Sequence, residues 1–495
     1  MKCTTGTLAL VLLAATASVS GAPAAAKAGG KRNLILMISD GFGMTSEAMA
    51  RTYAQQTGAE NDQMGDLMDS LLRGTVRTTA SNSLVTDSAA GATAYSCGLK
   101  TYNGAIGVDP KGRPCGTVLE AAKARGFTTA LVTTSRITHA TPASFAAHVA
   151  NRDMEDLIAQ QLVGLNRTGG HAVVDLMYGG GRCHFLPHTD KASCRSDSAN
   201  VWEQAQQRGF HTVDSRAGFD TLNANGAKLP LLALFSDDHM AYEIDREPEQ
   251  QPSLAEMTTS ALRIVGRNAA AAPEAPGFFI MIEGARIDMA GHDNDPATQV
   301  RDVAAYWDAV AAAKAYVARH PDTLLVSTSD HETGGLALGI DGEYLWYPEV
   351  LTPVTQSAES LCHDLRQEGV DVPAAIKAAM PESLGIQNGT STEIAKIAAG
   401  VAKGTVPCKM AVGGVVSRRA YIGWSTGGHT GTTVGLFAHG KYADKLHGNI
   451  DNANLGRFLA AYLGVDTRPI TAAIQDTPTQ QPGFKSQVRL YHTHN

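Results

Sequence analysis

Acidic, histidine and hydroxyl side chains lie at the ends of five short apolar segments of this sequence. The segments are rich in β-branched residues, which predicts strands, and the carboxyl ends of parallel strands meet at one edge of a sheet. Carboxylates and neutral imidazoles are ligands of divalent metals, and so many buried acids would repel one another without a cation. The pattern therefore predicts a hydrolytic site that holds more than one metal ion. The segments are 33–41, 127–141, 277–292, 323–335 and 427–437, and they carry Asp40, His139, Thr141, Glu283, Asp288, His292, Asp330, His331 and His429.

Individual candidates differ in the strength of their local signal. Asp288 and His292 are four residues apart, which on a helical turn places both side chains on one face, as metal capture by one segment requires. His429 lies among glycines just before a strand-like run, where there is room for a metal or a substrate. His439 follows that run instead, so we select His429. For Asp40, which precedes two closely spaced glycines, a turn-forming aspartate is the alternative.

Asp87 and Ser88 precede an alanine-rich run that is compatible with a helix. A serine at a helix N-terminus meets unpaired N–H groups and a partial positive charge, which suits an alkoxide or a bound phosphate. Taken alone, the motif is more typical of helix capping. The metal cluster favours a nucleophilic Ser88, because a neighbouring divalent cation activates a hydroxyl. Arg152 offers a guanidinium fork for phosphate, although an isolated arginine is more often a surface charge.

Length, charge and the first residues limit the class of protein. The chain has 495 residues, enough for one large α/β domain with insertions or for two domains. Its formal net charge is −7 and it has no long basic run, so we expect a small substrate and no specific nucleic-acid recognition. Residues 1–26 have the layout of a secretory leader, with a retained N-terminal anchor as the alternative. No span is predicted in the mature chain, and we expect an exported, periplasmic or extracellular protein.

Six cysteines remain beyond the leader, and an even number in an exported chain favours disulfides over free thiols. Six cysteines allow fifteen pairings, and the sequence does not choose among them. Pairing of sequence neighbours would close the shortest loops. The cysteines are Cys97, Cys115, Cys183, Cys194, Cys362 and Cys408.

Segments with helical spacing alternate with the strand-like runs, which predicts βαβ units and a mostly parallel sheet. We predict an α/β fold, a three-layer sandwich whose central sheet is flanked by helices, as a single domain over residues 27–495. Residues from about 341 to 420 contain scattered prolines and no strong strand runs, and are predicted to form a smaller, crown-like insertion beside the site. The predicted helices are 47–56, 116–126, 155–165, 253–267, 297–320 and 392–403.

Motifs along nearly all of the chain beyond the leader resemble the alkaline phosphatase family, in the order and with the spacing of that family. The resemblance implies metal-dependent hydrolysis of phosphate monoesters through a covalent phosphoserine, with release of inorganic phosphate and an alcohol. It also implies a homodimer. The matching motifs are ISDGFG (38–43), VTDSAAGAT (85–93), THATPASFAAHVANR (138–152), DLMYGGGR (175–182), LALFSDDHMAYEIDREPEQQPSLAEM (232–257), FFIMIEGARIDMAGH (278–292), STSDHETGG (327–335) and GGHTG (427–431).

By the same resemblance, the expected cofactors are two zinc ions and one magnesium ion. Ser88 would be the nucleophile, Arg152 would hold the phosphate, and Asp87 and His139 would lie around them. One zinc would be held by Asp288, His292 and His429, the second by Asp40, Asp330, His331 and the Ser88 oxygen, and the magnesium by Asp40, Thr141 and Glu283.

Three departures from the family pattern limit what carries over. Met289 stands where relatives often have a side chain that touches bound phosphate, so their turnover does not transfer. His139 is like the residue of the animal enzymes and unlike the aspartate of the best-known bacterial one, which leaves the metal selectivity of the third site open. Residues 236–239, SDDH, only partly match the animal calcium site, so calcium is an addition without support.

Two alternatives to a phosphomonoesterase remain. A phosphodiesterase or a sulfatase-like hydrolase can share the same core, because a fold does not determine function. Ser88 together with Arg152 favours monoesters, since a guanidinium fork needs two free phosphate oxygens. A noncatalytic protein that scavenges metal or phosphate would not need a nucleophile, a guanidinium and all three metal sets together.

Overall fold

The computed structural model describes residues 30–58, 64–225, 227–272 and 274–484. The predicted leader, residues 1–26, lies outside the described residues. The strands are β1 (Asn33–Ser39), β2 (Leu72–Arg77), β3 (Thr128–Arg136), β4 (Leu176–Gly180), β5 (His211–Val213), β6 (Leu231–Leu234), β7 (Phe278–Gly284), β8 (Thr323–Ser329), β9 (Glu332–Thr333), β10 (Leu336–Leu338), β11 (Ile422–Trp424), β12 (His429–Thr430), β13 (Val434–Gly440) and β14 (Gly448–Asp451). The helices are α1 (Met44–Thr57), α2 (Met64–Leu71), α3 (Ser88–Cys97), α4 (Val118–Ala124), α5 (Ala140–Ala143), α6 (Glu155–Leu162), α7 (Val201–Gln207), α8 (Arg216–Asn225), α9 (Leu254–Ala271), α10 (Arg286–His292), α11 (Pro296–Arg319), α12 (Ala358–Leu365), α13 (Val372–Glu382), α14 (Ser391–Lys403), α15 (Thr405–Arg419), α16 (Asn452–Leu463) and α17 (Arg468–Ala473).

A ten-stranded sheet forms the centre of the fold, in the order β14-β2-β13-β8-β1-β7-β3-β4-β6-β5. Strand β13 is antiparallel to both of its neighbours, and the other neighbouring pairs are parallel. The α/β fold with a mostly parallel sheet is therefore confirmed.

Both faces of the sheet are covered. Along β1, Leu34, Leu36 and Ile38 belong to one hydrophobic cluster, while Ile35 and Met37 belong to another. The first cluster includes buried residues of α3, α4 and α16, and the second includes those of α9 and α11. Successive strand residues point to opposite faces, so a continuously apolar strand requires helices on both sides. The predicted three-layer sandwich follows from this packing.

Each of the six predicted helical segments overlaps a helix, although 116–126 and 155–165 extend beyond α4 and α6. Local signals begin two of these helices. Ser253 accepts a hydrogen bond from the Glu256 N–H (3.1 Å), and the Glu256 carboxylate accepts one from the Ser253 N–H (2.7 Å), which is a capping box at the start of α9. Pro296 is the first residue of α11, a position at which a helix does not need the missing N–H.

Helices α12 to α15 lie within residues 341–420, the predicted insertion, and share a hydrophobic cluster that includes Leu361 and Val412. The insertion boundaries and the single domain stay predictions. Three disulfides are formed, Cys97–Cys115, Cys183–Cys194 and Cys362–Cys408, which are the neighbour pairs with the shortest loops. None of the helices in the described ranges is long and apolar enough to cross a membrane.

Candidate active site

The central strands end level with one another, and this brings three carboxylates together. Ser39, the last residue of β1, is in register with Gly284 of β7 and with Ser329 of β8. Asp40, Glu283 and Asp330 therefore meet at the carboxyl edge of the sheet, and all three have an exposed fraction of 0%. This convergence confirms the geometric argument from parallel strand ends.

Helix α10 begins two residues after β7 and presents the next two candidates. Its Asp288 and His292 are four residues apart, and His292 Nε2 lies 3.2 Å from Asp288 Oδ2. The short antiparallel pair of β9 and β12 places His429 opposite Thr333. His429 Nε2 consequently lies 3.6 Å from Asp288 Oδ1, and its ring stacks on that of His331 with 3.5 Å between centroids.

His439 does not reach this site. It lies on β13 opposite Leu325, within the sheet rather than at its carboxyl edge. The selection of His429 over His439 therefore agrees with the arrangement of the strands.

Backbone carbonyls determine which nitrogen of two histidines faces the site. The Nδ1 atom of His292 lies 2.7 Å from the Gly427 carbonyl, and that of His429 lies 2.9 Å from the Thr86 carbonyl. A carbonyl only accepts, so each Nδ1 is a donor, and each neutral ring presents Nε2 as an acceptor. The two Nε2 atoms are 3.1 Å apart. Two lone pairs at that distance are stabilised by a proton or a metal ion between them, which fits a metal site.

The buried acids resist ionisation in the absence of a cation. Burial, with Asp288 and Glu283 next in effect, raises the pKa of Asp330 to about 8. Burial raises the pKa of Glu283 to about 7, and burial together with Asp330 raises the pKa of Asp40 well above its ordinary value. Divalent cations reverse this preference because they stabilise the ionised carboxylates.

Two of the imidazoles, those of His429 and His331, are kept neutral, as metal ligation requires. Burial lowers the pKa of His429 to about 4, and burial together with His429 lowers the pKa of His331 well below its ordinary value. Burial alone would also lower the pKa of His292, but the Asp288 carboxylate outweighs this effect and raises it.

Three groups of side chains at this edge have ligand atoms within 4.8 Å of one another. A fourth such group in the described residues, Cys183, His184 and Cys194, contains a disulfide and does not offer thiolates. Among the described residues, Asp40 Oδ2 and Glu283 Oε1 are buried and have no hydrogen-bond donor. Buried polar atoms are normally paired, and a bound cation would satisfy both oxygens. The three groups are Asp288 with His292 and His429, Asp40 with Asp330 and His331, and Asp40 with His139 and Glu283.

The third group differs in one member from the predicted magnesium set. His139 lies within reach of Asp40 and Glu283, whereas Thr141 was the predicted third ligand. Thr141 is buried in α5 and interacts with the Glu283 carboxylate. Both residues therefore border this position.

Asp87, and not Ser88, caps helix α3. The Asp87 carboxylate accepts the Ala90 N–H at 2.9 Å and the Gly104 N–H at 2.9 Å. The Ser88 hydroxyl is left to face the metal-binding groups, with its Oγ 3.1 Å from His331 Nε2 and 3.5 Å from Asp40 Oδ1. The capping alternative for Ser88 is therefore wrong, because its neighbour performs that role.

Arg152 is a buried residue of the site rather than a surface charge, with an exposed fraction of 5%. Its Nη1 donates to Asp87 Oδ2 at 3.3 Å, and its Nη2 lies 2.9 Å from His139 Nε2. The guanidinium is thus hydrogen-bonded to Asp87, the residue that precedes Ser88.

Four further side chains contact the ligands and were not predicted from the sequence. Thr133 and Ser135 both donate to Glu283 Oε2. Glu332 accepts from the Thr430 hydroxyl, and the Thr333 hydroxyl donates to Asp288 Oδ1. Glu332 and Thr333 directly follow Asp330-His331 in the sequence, and that adjacency is the signal that could have found them.

Two of the departures from the family pattern have a clear structural setting. Met289 is 3% exposed and packs with Tyr242, and its sulfur lies 2.7 Å from Arg286 Nη1. At the SDDH segment, Asp237 pairs with Arg182 and Asp238 pairs with Arg136. These acids are neutralised by arginines, and none of the groups with metal-ligand spacing in the described residues lies there.

Comparison with known proteins gives a consistent result. The sequence model of the alkaline phosphatase family matches residues 31–465. An alkaline phosphatase of Schizosaccharomyces pombe is 43% identical over 456 residues, covering 90% of this chain and 84% of the relative. Alkaline phosphatase 3 of Bacillus subtilis is 34% identical over 430 residues, covering 86% of this chain and 87% of the relative. The crystal structure of Thermus thermophilus alkaline phosphatase superposes with a TM-score of 0.78 at 28% identity, covering 93% of this chain and 96% of that one.

Proposed function

The chain belongs to the alkaline phosphatase family, whose members are metal-dependent hydrolases of phosphate monoesters that act through a phosphoserine, and we propose that Ser88 is the nucleophile of this chain. The observation that carries the proposal is the position of Ser88 Oγ, 3.1 Å from His331 Nε2 and 3.5 Å from Asp40 Oδ1. The hydroxyl lies at the N-terminus of α3, where the helix dipole stabilises negative charge on an attacking oxygen and on a phosphate.

Arg152 is proposed to hold two nonbridging oxygens of the phosphate. Its guanidinium is buried beside Asp87 and is oriented by it. A charged fork in a buried site makes strong paired hydrogen bonds with phosphate. A diester also has two nonbridging oxygens, so, contrary to the expectation from the sequence, this contact does not by itself distinguish a monoester from a diester. The preference for a monoester rests on the family to which the chain belongs.

Two of the three groups are proposed to hold zinc, whose usual ligands are imidazole and carboxylate. These proposed zinc groups are Asp288 with His292 and His429, and Asp40 with Asp330 and His331. Bound metal would lower the pKa of the serine hydroxyl and neutralise charge on the leaving oxygen. The chain's own residues hold the serine, orient the phosphate and keep the imidazoles of His331 and His429 neutral.

The group around Glu283 is proposed to hold magnesium through Asp40, Glu283 and Thr141, since magnesium prefers oxygen ligands. His139 adds a nitrogen at this position, which should make magnesium binding weaker than in an all-oxygen site. A solved histidine-to-aspartate mutant of TAB5 alkaline phosphatase, 26% identical with a TM-score of 0.60, has Mg bound in its M3 site.

We further infer export and a homodimer. Three disulfides are typical of proteins that fold in an oxidising compartment, and residues 1–26 have the layout of a leader. The dimer rests on the family resemblance alone, and the sedimentation velocity of the purified protein would test it.

The Ser88→Ala variant tests the assignment of the nucleophile. It should lose most turnover of p-nitrophenyl phosphate, about 10³-fold or more, because the covalent step is removed. Its metal content by mass spectrometry and its melting temperature should stay close to those of the parent. The reason is that the variant loses only the serine oxygen and keeps every other proposed metal ligand. Turnover that survives in the metal-loaded variant would contradict the proposal.

The substrate preference of the parent enzyme distinguishes a phosphomonoesterase from the alternative functions. We expect p-nitrophenyl phosphate to be hydrolysed faster than the corresponding bis-ester and sulfate. A preference for the bis-ester or the sulfate would instead favour a phosphodiesterase or a sulfatase-like hydrolase.

A further inference from the structure

We propose that Thr333 is a positioning residue that holds His331 in the tautomer needed for metal binding and connects it to Asp288 of the neighbouring group. The inference rests on the proposed metal-dependent function. Thr333 is fully buried on β9, two residues after His331. Its hydroxyl donates to Asp288 Oδ1 and lies 3.3 Å from His331 Nδ1. One side chain therefore touches a member of each proposed zinc group.

The direction of these two hydrogen bonds follows from proton counting. A threonine hydroxyl carries one proton, and the ionised Asp288 carboxylate can only accept it. The Thr333 oxygen then has only lone pairs to offer to His331, so His331 Nδ1 must be the donor. The order is His331 Nδ1–H to Thr333 Oγ1–H to Asp288 Oδ1. It leaves the His331 Nε2 lone pair facing Asp330 and Ser88, at 3.2 Å from Asp330 Oδ2 and 3.1 Å from Ser88 Oγ.

His331 differs in this respect from the other two histidines of the proposed zinc groups. His292 and His429 donate from Nδ1 to backbone carbonyls, of Gly427 and Thr86. A carbonyl is present whatever the side chain, whereas the acceptor for His331 is a side chain that a substitution removes. The Nδ1 partner of a ligating histidine fixes its tautomer and its ring orientation, and loss of such a partner typically reduces metal affinity 10- to 100-fold.

The Thr333→Val and Thr333→Ser variants test this role as a matched pair. Valine keeps the shape and the methyl group that packs against Gly291, and serine keeps the hydroxyl. The backbone pairing of Thr333 with His429 does not depend on the side chain. Zinc affinity would be measured by competition with a chromophoric chelator, and the melting temperature of the chelated proteins would be compared.

We expect Thr333→Val to bind zinc about 10- to 100-fold more weakly than the parent, with loss at both proposed zinc groups. Thr333→Ser should bind within about 3-fold of the parent, because it restores the acceptor. Thr333→Ala removes the same hydroxyl without the second methyl and should reproduce the loss if the valine variant does not fold.

Equal zinc affinities for parent, valine and alanine variants would overturn the inference, as would a serine variant no better than valine. A parent that binds no zinc and hydrolyses no monoester would instead contradict the proposed function. The two failures are distinguishable because the first is read from the variants and the second from the parent.

Discussion

At the scale of single residues, the Asp87 carboxylate connects three parts of the site. It caps α3 by accepting the Ala90 N–H, it accepts the Gly104 N–H from a neighbouring loop, and it pairs with Arg152. A carboxylate has enough lone pairs for all three partners. The position of Ser88, the next residue, is therefore determined by the same group that orients the guanidinium.

Replacement of Arg152 by alanine should lower kcat/KM for p-nitrophenyl phosphate by about 10- to 100-fold, because charge-assisted hydrogen bonds contribute about 1.5–3 kcal/mol. Inhibition by inorganic phosphate should weaken in parallel. Arg152→Lys should recover only part of the loss, since an ammonium lacks the planar fork. Arg113→Ala, at an exposed arginine paired with Asp109, is the control and should leave both constants unchanged. Undiminished phosphate inhibition in Arg152→Ala would contradict the role of Arg152.

At the scale of elements, the turn after β1 packs against α10 with no room for a side chain. Gly41 has a φ of +74°, and a Cβ atom placed on it would lie 2.5 Å from the Asp288 Cα atom. Gly43 faces the Glu332 side chain in the same way. Glycine allows both the left-handed backbone conformation and the close approach. This contact brings the Asp40 end of β1 to the helix that carries Asp288 and His292.

The Gly41→Ala variant should be destabilised by roughly 2–5 kcal/mol, the sum of left-handed strain and overpacking. Gly58→Ala is a matched control, because Gly58 has a φ of +64° but no atom within 4 Å of an added Cβ. It should be destabilised only by the strain, about 1–2 kcal/mol. Urea unfolding of the chelated proteins would measure both. Equal destabilisation of the two variants would show that the packing against Asp288 does not matter.

At the scale of the whole molecule, the stability of the metal-free protein depends on pH, because buried carboxyl groups lie close together at the edge of the sheet. The pKa of Asp330 is raised to about 8 and that of Glu283 to about 7, mainly by burial. A carboxyl group whose pKa is raised in the folded state is protonated there over a pH range in which the unfolded chain is ionised. Its contribution to stability is fully present below the unfolded pKa, about 4, and is lost as the pH rises through the folded pKa.

The melting temperature of the chelated protein should therefore fall as the pH rises from about 5, and should level off above the folded pKa values of Glu283, about 7, and Asp330, about 8. The lowered pKa values of His429 and His331 have the opposite sign and offset part of this fall up to the unfolded pKa of histidine, about 6.5. The lowered pKa of Glu120, about 2, also has the opposite sign but acts below this range. The zinc-loaded protein should gain stability over the same range, because its ligands bind the metal after deprotonation. Scanning calorimetry with and without chelator would measure both trends. If the melting temperatures of the chelated and the zinc-loaded protein changed in the same way with pH, metal binding would not be coupled to deprotonation of the ligands.

Glu283→Gln provides the control for this prediction. The substitution removes one of the titrating groups, so the melting temperature of the chelated protein should fall less steeply as the pH rises. An unchanged pH dependence would assign the effect to groups outside the site.

Residue types and local spacing were sufficient to predict much of the site from the sequence. Asp40, Glu283 and Asp330 follow apolar strands, and parallel strands end at one edge, so their convergence is a consequence of strand order in space. The four-residue spacing of Asp288 and His292 is likewise local. The helix starts at Ser253 and Pro296 depend on neighbouring residues alone.

Only the tertiary structure decided which side chains orient the ligands. The pairing of β9 with β12, the stacking of His331 on His429 and the contact of Thr333 with Asp288 join segments about 45 to 100 residues apart. The tertiary structure also decided the contact of Asp87 with Gly104, over a shorter separation of sequence, and the choice of disulfide partners. Such contacts depend on strand register and packing, and local periodicity carries no information about either.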